Sequence, residues 1–455
     1  MAREDTYLIQ DPYHPYAVRM MSILRERFGW RALTYYTDPG HYEMDAYRFP
    51  ELLDPELVAA SYRADLADLD RLVAAVRRDG YTVRAVVPYK EPSVEPSGRL
   101  AEAFGLSWSQ PQVLARFRNK GALKAHLRAV DPSLRVNGSQ IVSSPAQAAS
   151  VRASEGWSGI VLKPNDGFGN MDVGIFSQDP SARDLESWWQ TGGHDELLAE
   201  EYVGGEEFHC DGQVDTAGNI TVFEVARYRR GALNGRLNVE MGSILVPHHS
   251  GLFADIADYT TRVVAASGLR RSPFHCEVKV DELGPCLIEC GARLVGQMTA
   301  PVIGFAHAGA LDPFAIAAHY YATDEAYGPI PLDWQAYDSR LLMQVCGVTT
   351  TTERVRTLEG TAEVEQLPQF VRWLKRIEVG QRLHATTDMF GMTYVALLQG
   401  QDLAELDRTD RSVREMIRWN TRRPTLSESL GWTGQLVTRR LQQMSSRREY
   451  PREHR

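Results

Sequence analysis

The chain has 455 residues, enough at ~150 residues per domain for about three domains and a sizeable buried core. Its make-up, 43% hydrophobic and 24% charged with 36 Gly and 23 Pro, is ordinary globular usage and excludes intrinsic disorder, collagen-like repeats and a disulfide-built miniprotein. With 50 Lys and Arg against 59 Asp and Glu the formal charge is −9, so no global positive field recruits nucleic acid or anionic lipid.

The five cysteines, Cys210, Cys276, Cys286, Cys290 and Cys346, are odd in number and form no CxxC pair. Cys286 and Cys290 lie four apart, but no neighbouring His or Cys completes a zinc spacing. This usage suits a reduced, cytoplasmic setting. The opening residues MAREDTYLIQ lack the apolar core of a signal peptide. The most apolar span, 300–322, is interrupted by His307, Asp312 and His319, which reads as a buried helix and not a membrane crossing.

In chain order, the first hundred residues alternate strand and helix: strand 6–9, helix 16–28, strand 31–37, helix 65–78 ending at Gly80, and strand 81–87. That order predicts a parallel sheet covered by helices. The loop after the first strand, QDPYHP, has no GxGxxG, so dinucleotide binding loses its main support. A helix follows over 121–130, punctuated by Asp131-Pro132. A strand-rich block then comprises 160–163, 173–176, 197–202, 208–214, 220–228, 276–280 and 286–290, interrupted by a helix over 253–267. Residues 228–239 read as a loop contributing to a substrate pocket, with Arg227, Arg229, Arg230 and Arg236 as exposed cations suited to an acidic substrate. Beyond residue 330, strands are expected at 340–345, 376–379 and 392–398 and helices around 364–375 and 402–418, before an Arg-rich tail.

Four pieces carry chemistry. In the first, a strand ends in Lys163, the loop Asn165-Asp166-Gly167-Phe168-Gly169-Asn170 follows, and a second strand returns. Glycines without Cβ let backbone N–H groups approach phosphate oxygens, and the Lys neutralises the same charge. The alternative is a plain hairpin whose glycines serve only the turn. In the second, LLAEEYVGGEEFHCD, a strand runs into Glu200-Glu201-Tyr202-Val203, turns at Gly204-Gly205 and resumes after Glu206-Glu207. A strand end with free backbone groups can bond a purine edge, and a carboxylate past the turn can accept from ribose hydroxyls. The alternative is a hairpin with solvated acids.

The third piece is the sharpest: FHCEVKVDELGPCLIECGARLVG, two strands flanking Glu282-Leu283-Gly284. With Glu277 placed opposite Glu289, the hairpin has a three-residue loop and both carboxylates lie on one face. Like charges directly opposite destabilise a sheet, so something positive belongs between them. Mg²⁺ suits that role, since it takes one or two carboxylates and completes its shell with water and nucleotide phosphates. Arg293 adds a fixed cation at the same mouth. The alternative pairs Glu277 with Lys279 or Arg293 on an exposed hairpin. The fourth piece is Lys120, at a basic helix start.

The order Lys120, then Lys163 with its Gly loop, then an acidic strand end, then Glu277, Glu289 and Arg293 resembles the ATP-grasp superfamily. Within it the chain is most similar to bacterial L-amino acid ligases of the bacilysin type and carnosine synthase, on Glu240, Gly242, Pro247, His275-Cys276-Glu277, Glu289, Arg293, Gly347 and the helix over 402–418. The resemblance implies an α/β (α+β) ATP-grasp fold: an N-terminal Rossmann-like βαβ domain (1–115), a lid subdomain (116–205), a catalytic subdomain (206–330), a C-terminal α/β region (331–420) and a basic tail (421–455).

The resemblance also implies roles. Lys120 and Lys163 contact the ATP phosphates under a lid containing Gly167, Gly169 and Asn170; Glu200 lies near the adenine amine, with Glu201 also in the ATP site; Val203 offers backbone to the ring; and Glu207 holds the ribose. Glu277 and Glu289 ligate Mg²⁺ (or Mn²⁺), and Arg293 stabilises the transferring phosphate or orients the substrate carboxylate. Many members carry Asn two residues after the second metal Glu; here that position is Gly291, which puts one metal contact in doubt. His275 is either a base for the amine or a hydrogen-bonded structural histidine.

The expected activity is ATP-dependent carboxylate–amine ligation through an acyl phosphate, on an amino acid or similar acid and an amine. Competing readings are a bicarbonate-using carboxylase and a non-catalytic nucleotide-binding module. Small molecules are the expected partners, with no nucleic acid and no membrane. Homodimers are common among the resembled enzymes.

Overall fold

The computed structural model describes residues 4–12, 14–37, 50–108, 110–178, 180–296 and 299–422. Most of the basic tail therefore lies outside the described residues. Strands β1 (Asp5–Gln10), β2 (Arg31–Tyr36), β3 (Val58–Arg63) and β4 (Thr82–Val87) form a parallel sheet in the order β3-β2-β1-β4. Tyr7, Leu8, Ile9, Ala32 and Leu33 are all fully buried, as expected of strands covered on both faces. The first helix, Pro15–Phe28, opens with His14 as its cap and stops at left-handed Gly29. The helix expected over 65–78 starts later, at Leu69, because the Asp68 carboxylate caps the Arg71 N–H. β3 was not anticipated; its half-exposed VAASYR sequence carries little apolar signal.

The helix Lys120–Val130 is capped by the Asn119 side chain. Next, β5 (Ser139–Val142), β6 (Ile160–Lys163), β7 (Gly174–Phe176) and β8 (Leu197–Glu201) make a small antiparallel sheet, β5-β8-β6-β7, over a core including Trp157, Ile160, Leu162 and Trp189.

A larger antiparallel sheet follows. β9 (Glu206–Val214), β10 (Ile220–Leu233), β11 (Arg236–Leu245), β12 (Ser272–Asp281) and β13 (Gly284–Gly291) are joined by β14 (Leu341–Cys346), β16 (Phe370–Lys375) and β17 (Val395–Gly400) in the order β13-β12-β9-β10-β11-β14-β17-β16. β15 (Arg354–Glu359) pairs separately with β18 (Arg418–Arg422). Helix Gly251–Ser267 shares a core with the large sheet, where Val263 and Val264 join Phe274, Cys276 and Leu287.

Several expectations are corrected. Residues 228–239 are no loop: β10 and β11 form a long hairpin turning at Asn234-Gly235, both at positive φ (49° and 74°). Helix 364–375 and strand 376–379 are replaced by a short helix, Thr361–Glu365, and β16, because Pro368 breaks the helix and FVRWLK is β-rich. The single helix over 300–322 is two, Ala300–Ala306 and Pro313–Ala322, parted by Ala308 and Gly309 at positive φ. No helix among the described residues is long and apolar enough to cross a membrane. All five cysteines are buried and free.

Candidate active site

The two antiparallel sheets face each other across a cleft of about 1020 Å³, counted out to its open mouth. Lys120, Lys163, Gly167, Gly169, Asn170, Glu200, Glu201, Val203, Glu207, Glu277 and Glu289 all line it. Arg293 does not.

On its floor, Glu277 lies directly opposite Glu289 in the β12–β13 register. The expected three-residue loop is shorter, since Asp281 pairs with Gly284 and only Glu282 and Leu283 turn. A bulge between Glu277 and Val278 on one strand and Leu287 and Glu289 on the other absorbs the extra residue, Ile288. Glu277 pairs with neither Lys279 nor Arg293. Its Oε1 accepts from Tyr228 (3.1 Å) and lies 3.3 Å from His275 Nε2. Burial raises the Glu277 pKa, but His275, Arg230 and Tyr228 outweigh it and hold the carboxyl well below its usual range. His275 is buried, with Nδ1 2.9 Å from Asp211 and Nε2 facing Glu277.

The cations come from the opposite wall. Lys120 Nζ lies 3.4 Å from Glu289 and donates to the Gly167 carbonyl (2.5 Å). Lys163 Nζ lies 2.7 Å from Glu200. Glu200, only 2% exposed, also receives Lys124 (2.5 Å), a fully buried lysine that sequence reasoning missed. Burial alone would raise the Glu200 pKa; the two lysines instead bring it to about 2, while burial brings Lys124 down to about 8. Lys124 sits four residues after Lys120 on one helical face, a spacing that could have flagged it.

The roof is the β6–β7 loop. Lys120 N–H donates to the Asn165 carbonyl and Gly121 N–H to the Asn165 side chain, so the loop is tied to the helix start. At the other end Asn170 donates to the Asn238 carbonyl on β11. Asp388 and Met389 from the C-terminal region also line the cleft, and a Cβ on Gly169 would stand 2.7 Å from the Met389 sulfur. Glycine there lets loop and C-terminal turn close together.

Beside the cleft, Arg293 Nε donates to Glu91 Oε2 (2.5 Å), and Arg118 donates to Glu91 Oε1 (2.9 Å). Glu91 follows β4, so the parallel sheet delivers a buried carboxylate to the end of the β12–β13 hairpin. A Cβ on Gly291 would lie 3.0 Å from Glu91 Oε2, so the space beside residue 291 is occupied by Glu91. The four arginines expected to be exposed are engaged instead: Arg227 with Glu206, Arg229 with Asp410 and Asp407, Arg230 with Glu207 and Glu240, and Arg236 with the Val173 carbonyl. Arg230 stacks 3.9 Å over the Tyr228 ring inside the cleft. Val203 offers its carbonyl to Lys279 (3.0 Å), and Glu201 accepts from the Gly138 N–H (3.1 Å).

Paired carboxylates, hard oxygen donors facing a cleft with lysines on the other side, fit a magnesium ion carried on a polyphosphate. Glu277 Oε2 accepts no hydrogen bond among the described residues, which leaves a donor atom available.

Residues 158–301 match the ATP-grasp domain, so the chain contains an ATP-grasp domain. Dapdiamide A synthase of Enterobacter agglomerans is 27% identical over 225 residues, 48% of this chain and 52% of that protein. The chain spans about half the length of the curated relatives it matches. Among solved structures, an L-amino acid ligase from Bacillus licheniformis superposes with a TM-score of 0.71 at 16% identity, covering 93% of this chain and all of that one. Phosphoribosylglycinamide synthetase from Anaerococcus prevotii follows at 0.63 and 11%, covering 92% of this chain and 100% of that one. These likenesses show an ATP-grasp fold running nearly the whole length of the chain.

Proposed function

We propose that the protein is an ATP-dependent carboxylate–amine ligase that joins an amino acid, or a similar acid, to an amine-bearing second substrate. The observation that carries this reading is the Glu277–Glu289 pair facing Lys120 and Lys163 under a glycine loop, in one cleft. A carboxylate resists attack by an amine because its charge repels the nucleophile and oxide does not leave. Transfer of the γ-phosphoryl group makes an acyl phosphate, from which phosphate departs once the amine adds. Such transfer needs positioning and charge neutralisation more than covalent help from the protein.

Glu277 and Glu289 would hold magnesium or manganese, which when bound supplies charge neutralisation at the phosphates. Lys120 and Lys163 supply fixed positive charge to the same oxygens. Residues 165–170 exclude water that would hydrolyse the activated acid. Glu200, Glu201, Val203 and Glu207 are proposed as the nucleoside side of the cleft. Arg293, held by Glu91, is proposed to face the transferring phosphate or the substrate carboxylate. The Enterobacter relative's name, a dapdiamide synthase, supports an amide product. Five free buried cysteines support a reducing, cytoplasmic setting.

The test is an amino-acid-by-amine matrix read by phosphate release and product mass, with hydroxylamine trapping, run on wild type and Glu289→Ala. Phosphate release and hydroxamate that depend on a particular acid and vanish in the variant are expected. Turnover requiring bicarbonate alone would defeat the amide-ligase reading. Equal background in both proteins would instead leave a nucleotide-binding module.

A further inference from the structure

The face of the large sheet that carries Glu277 and Glu289 continues inward as a polar field. In one row Gly291, His275, Asp211 and Glu224 stand side by side across β13, β12, β9 and β10; in the next stand Glu289, Glu277, His209 and Ala226. His209, Asp211, Glu224 and His275 are all buried. Asp211 sits between two imidazoles, with His209 Nδ1 at 2.6 Å from one oxygen and His275 Nδ1 at 2.9 Å from the other. With its Nδ1 committed to Asp211, His275 presents Nε2 to Glu277 Oε1, where Tyr228 also donates. Both contacts fall on a single carboxylate oxygen.

We propose that Asp211, braced by His209, is a positioning residue that acts through His275 to fix Glu277 with Oε1 occupied and Oε2 free for the metal. The proposal rests on the nucleotide–metal reading of the cleft. A carboxylate side chain in a strand rotates about χ1 and χ2; two donors on one oxygen remove that freedom before any ion arrives. Partners that orient a ligand in this way typically alter metal affinity 10–100-fold when removed. Glu224 closes the row, 3.9 Å from His209: neither of its oxygens has a hydrogen-bond partner among the described residues, and burial and the Asp211 charge raise its pKa.

The experiment measures Mn²⁺ affinity of the ADP complex by electron paramagnetic resonance, ADP affinity in EDTA by calorimetry, and melting temperature, for wild type, Asp211→Asn, His275→Leu and His275→Gln. Asp211→Asn and His275→Leu should lose roughly 10–100-fold in Mn²⁺ affinity with metal-free ADP binding unchanged. His275→Gln, whose amide can still donate to Glu277, should recover most of that loss. A folded Asp211→Asn with wild-type Mn²⁺ affinity overturns the proposal, as does an equal loss of metal-free ADP binding. If Asp211→Asn does not fold, equal Mn²⁺ affinity in the two His275 variants overturns it. One equivalent of zinc retained by nucleotide-free wild type also overturns it, since His209, Asp211 and His275 would then be ligands. Failure of wild type to bind Mn²⁺ with ADP would instead remove the metal reading beneath it.

Discussion

Replacing Glu91 by Gln keeps the side chain's size and removes the charge that Arg118 and Arg293 share. The carboxyl is buried, which alone would raise its pKa, yet Arg293, Arg118 and Lys120 bring it to about 2 from 4.5. At 1.36 kcal/mol per pKa unit, that depression corresponds to about 3 kcal/mol of native-state stabilisation. The folded pKa lies below the unfolded one, so the contribution is complete above pH 4.5 and is lost as pH falls towards 2. Urea unfolding should therefore show Glu91→Gln less stable by about 3 kcal/mol at pH 7, with the gap narrowing by roughly 2 kcal/mol by pH 3. The proposed ligase turnover should fall as well, because Arg293 loses the anion that holds it. A variant matching wild type in both stability and turnover at pH 7 would refute the idea that the parallel sheet anchors Arg293 for the proposed reaction.

Two further outcomes are expected. Lys163→Ala should weaken ADP binding roughly tenfold to a hundredfold, by loss of a charge-assisted bond, while the fold survives because Lys124 still pairs with Glu200. Unchanged affinity by calorimetry would mean that Lys163 does not face the phosphates. Gly291→Asn should displace Glu91 from Arg293, since even a Cβ lies 3.0 Å from the carboxylate oxygen that Arg293 holds, while Arg118 holds the other. A lower melting temperature follows, and an unshifted melt would contradict the packing.

What was legible from sequence was local and periodic. The Glu277–Glu289 register could be read because two alternating strands leave few ways to put both acids on one face, and the β6 and β7 strands declare themselves around their glycine loop. β11 carries one local signal, Asn234-Gly235 at its turn, but the polar, Arg-rich residues around it lack the alternating apolar pattern that marks a strand. β16 was read as helix because apolar spacing in 364–375 fits both periods, and Pro368 should have decided it. Glu91 was invisible for another reason: its partner Arg293 is 202 positions away. Asp211, Arg230 and Met389 likewise acquire meaning only from contacts across the folded chain. Propensity speaks about neighbours, and these residues work at long range.

The large sheet has a bearing on where this protein can be divided. The stretch matching the ATP-grasp domain ends at residue 301, but β11 goes on to pair with β14 through Gly242 to Val345, Ser243 to Gln344 and Ile244 to Met343. A version cut back to the matched stretch would leave β11 with bare backbone rungs, an invitation to join a second chain edge to edge. The folding unit therefore reaches at least to β17, and shortening the protein from that end would expose strand edges that favour association.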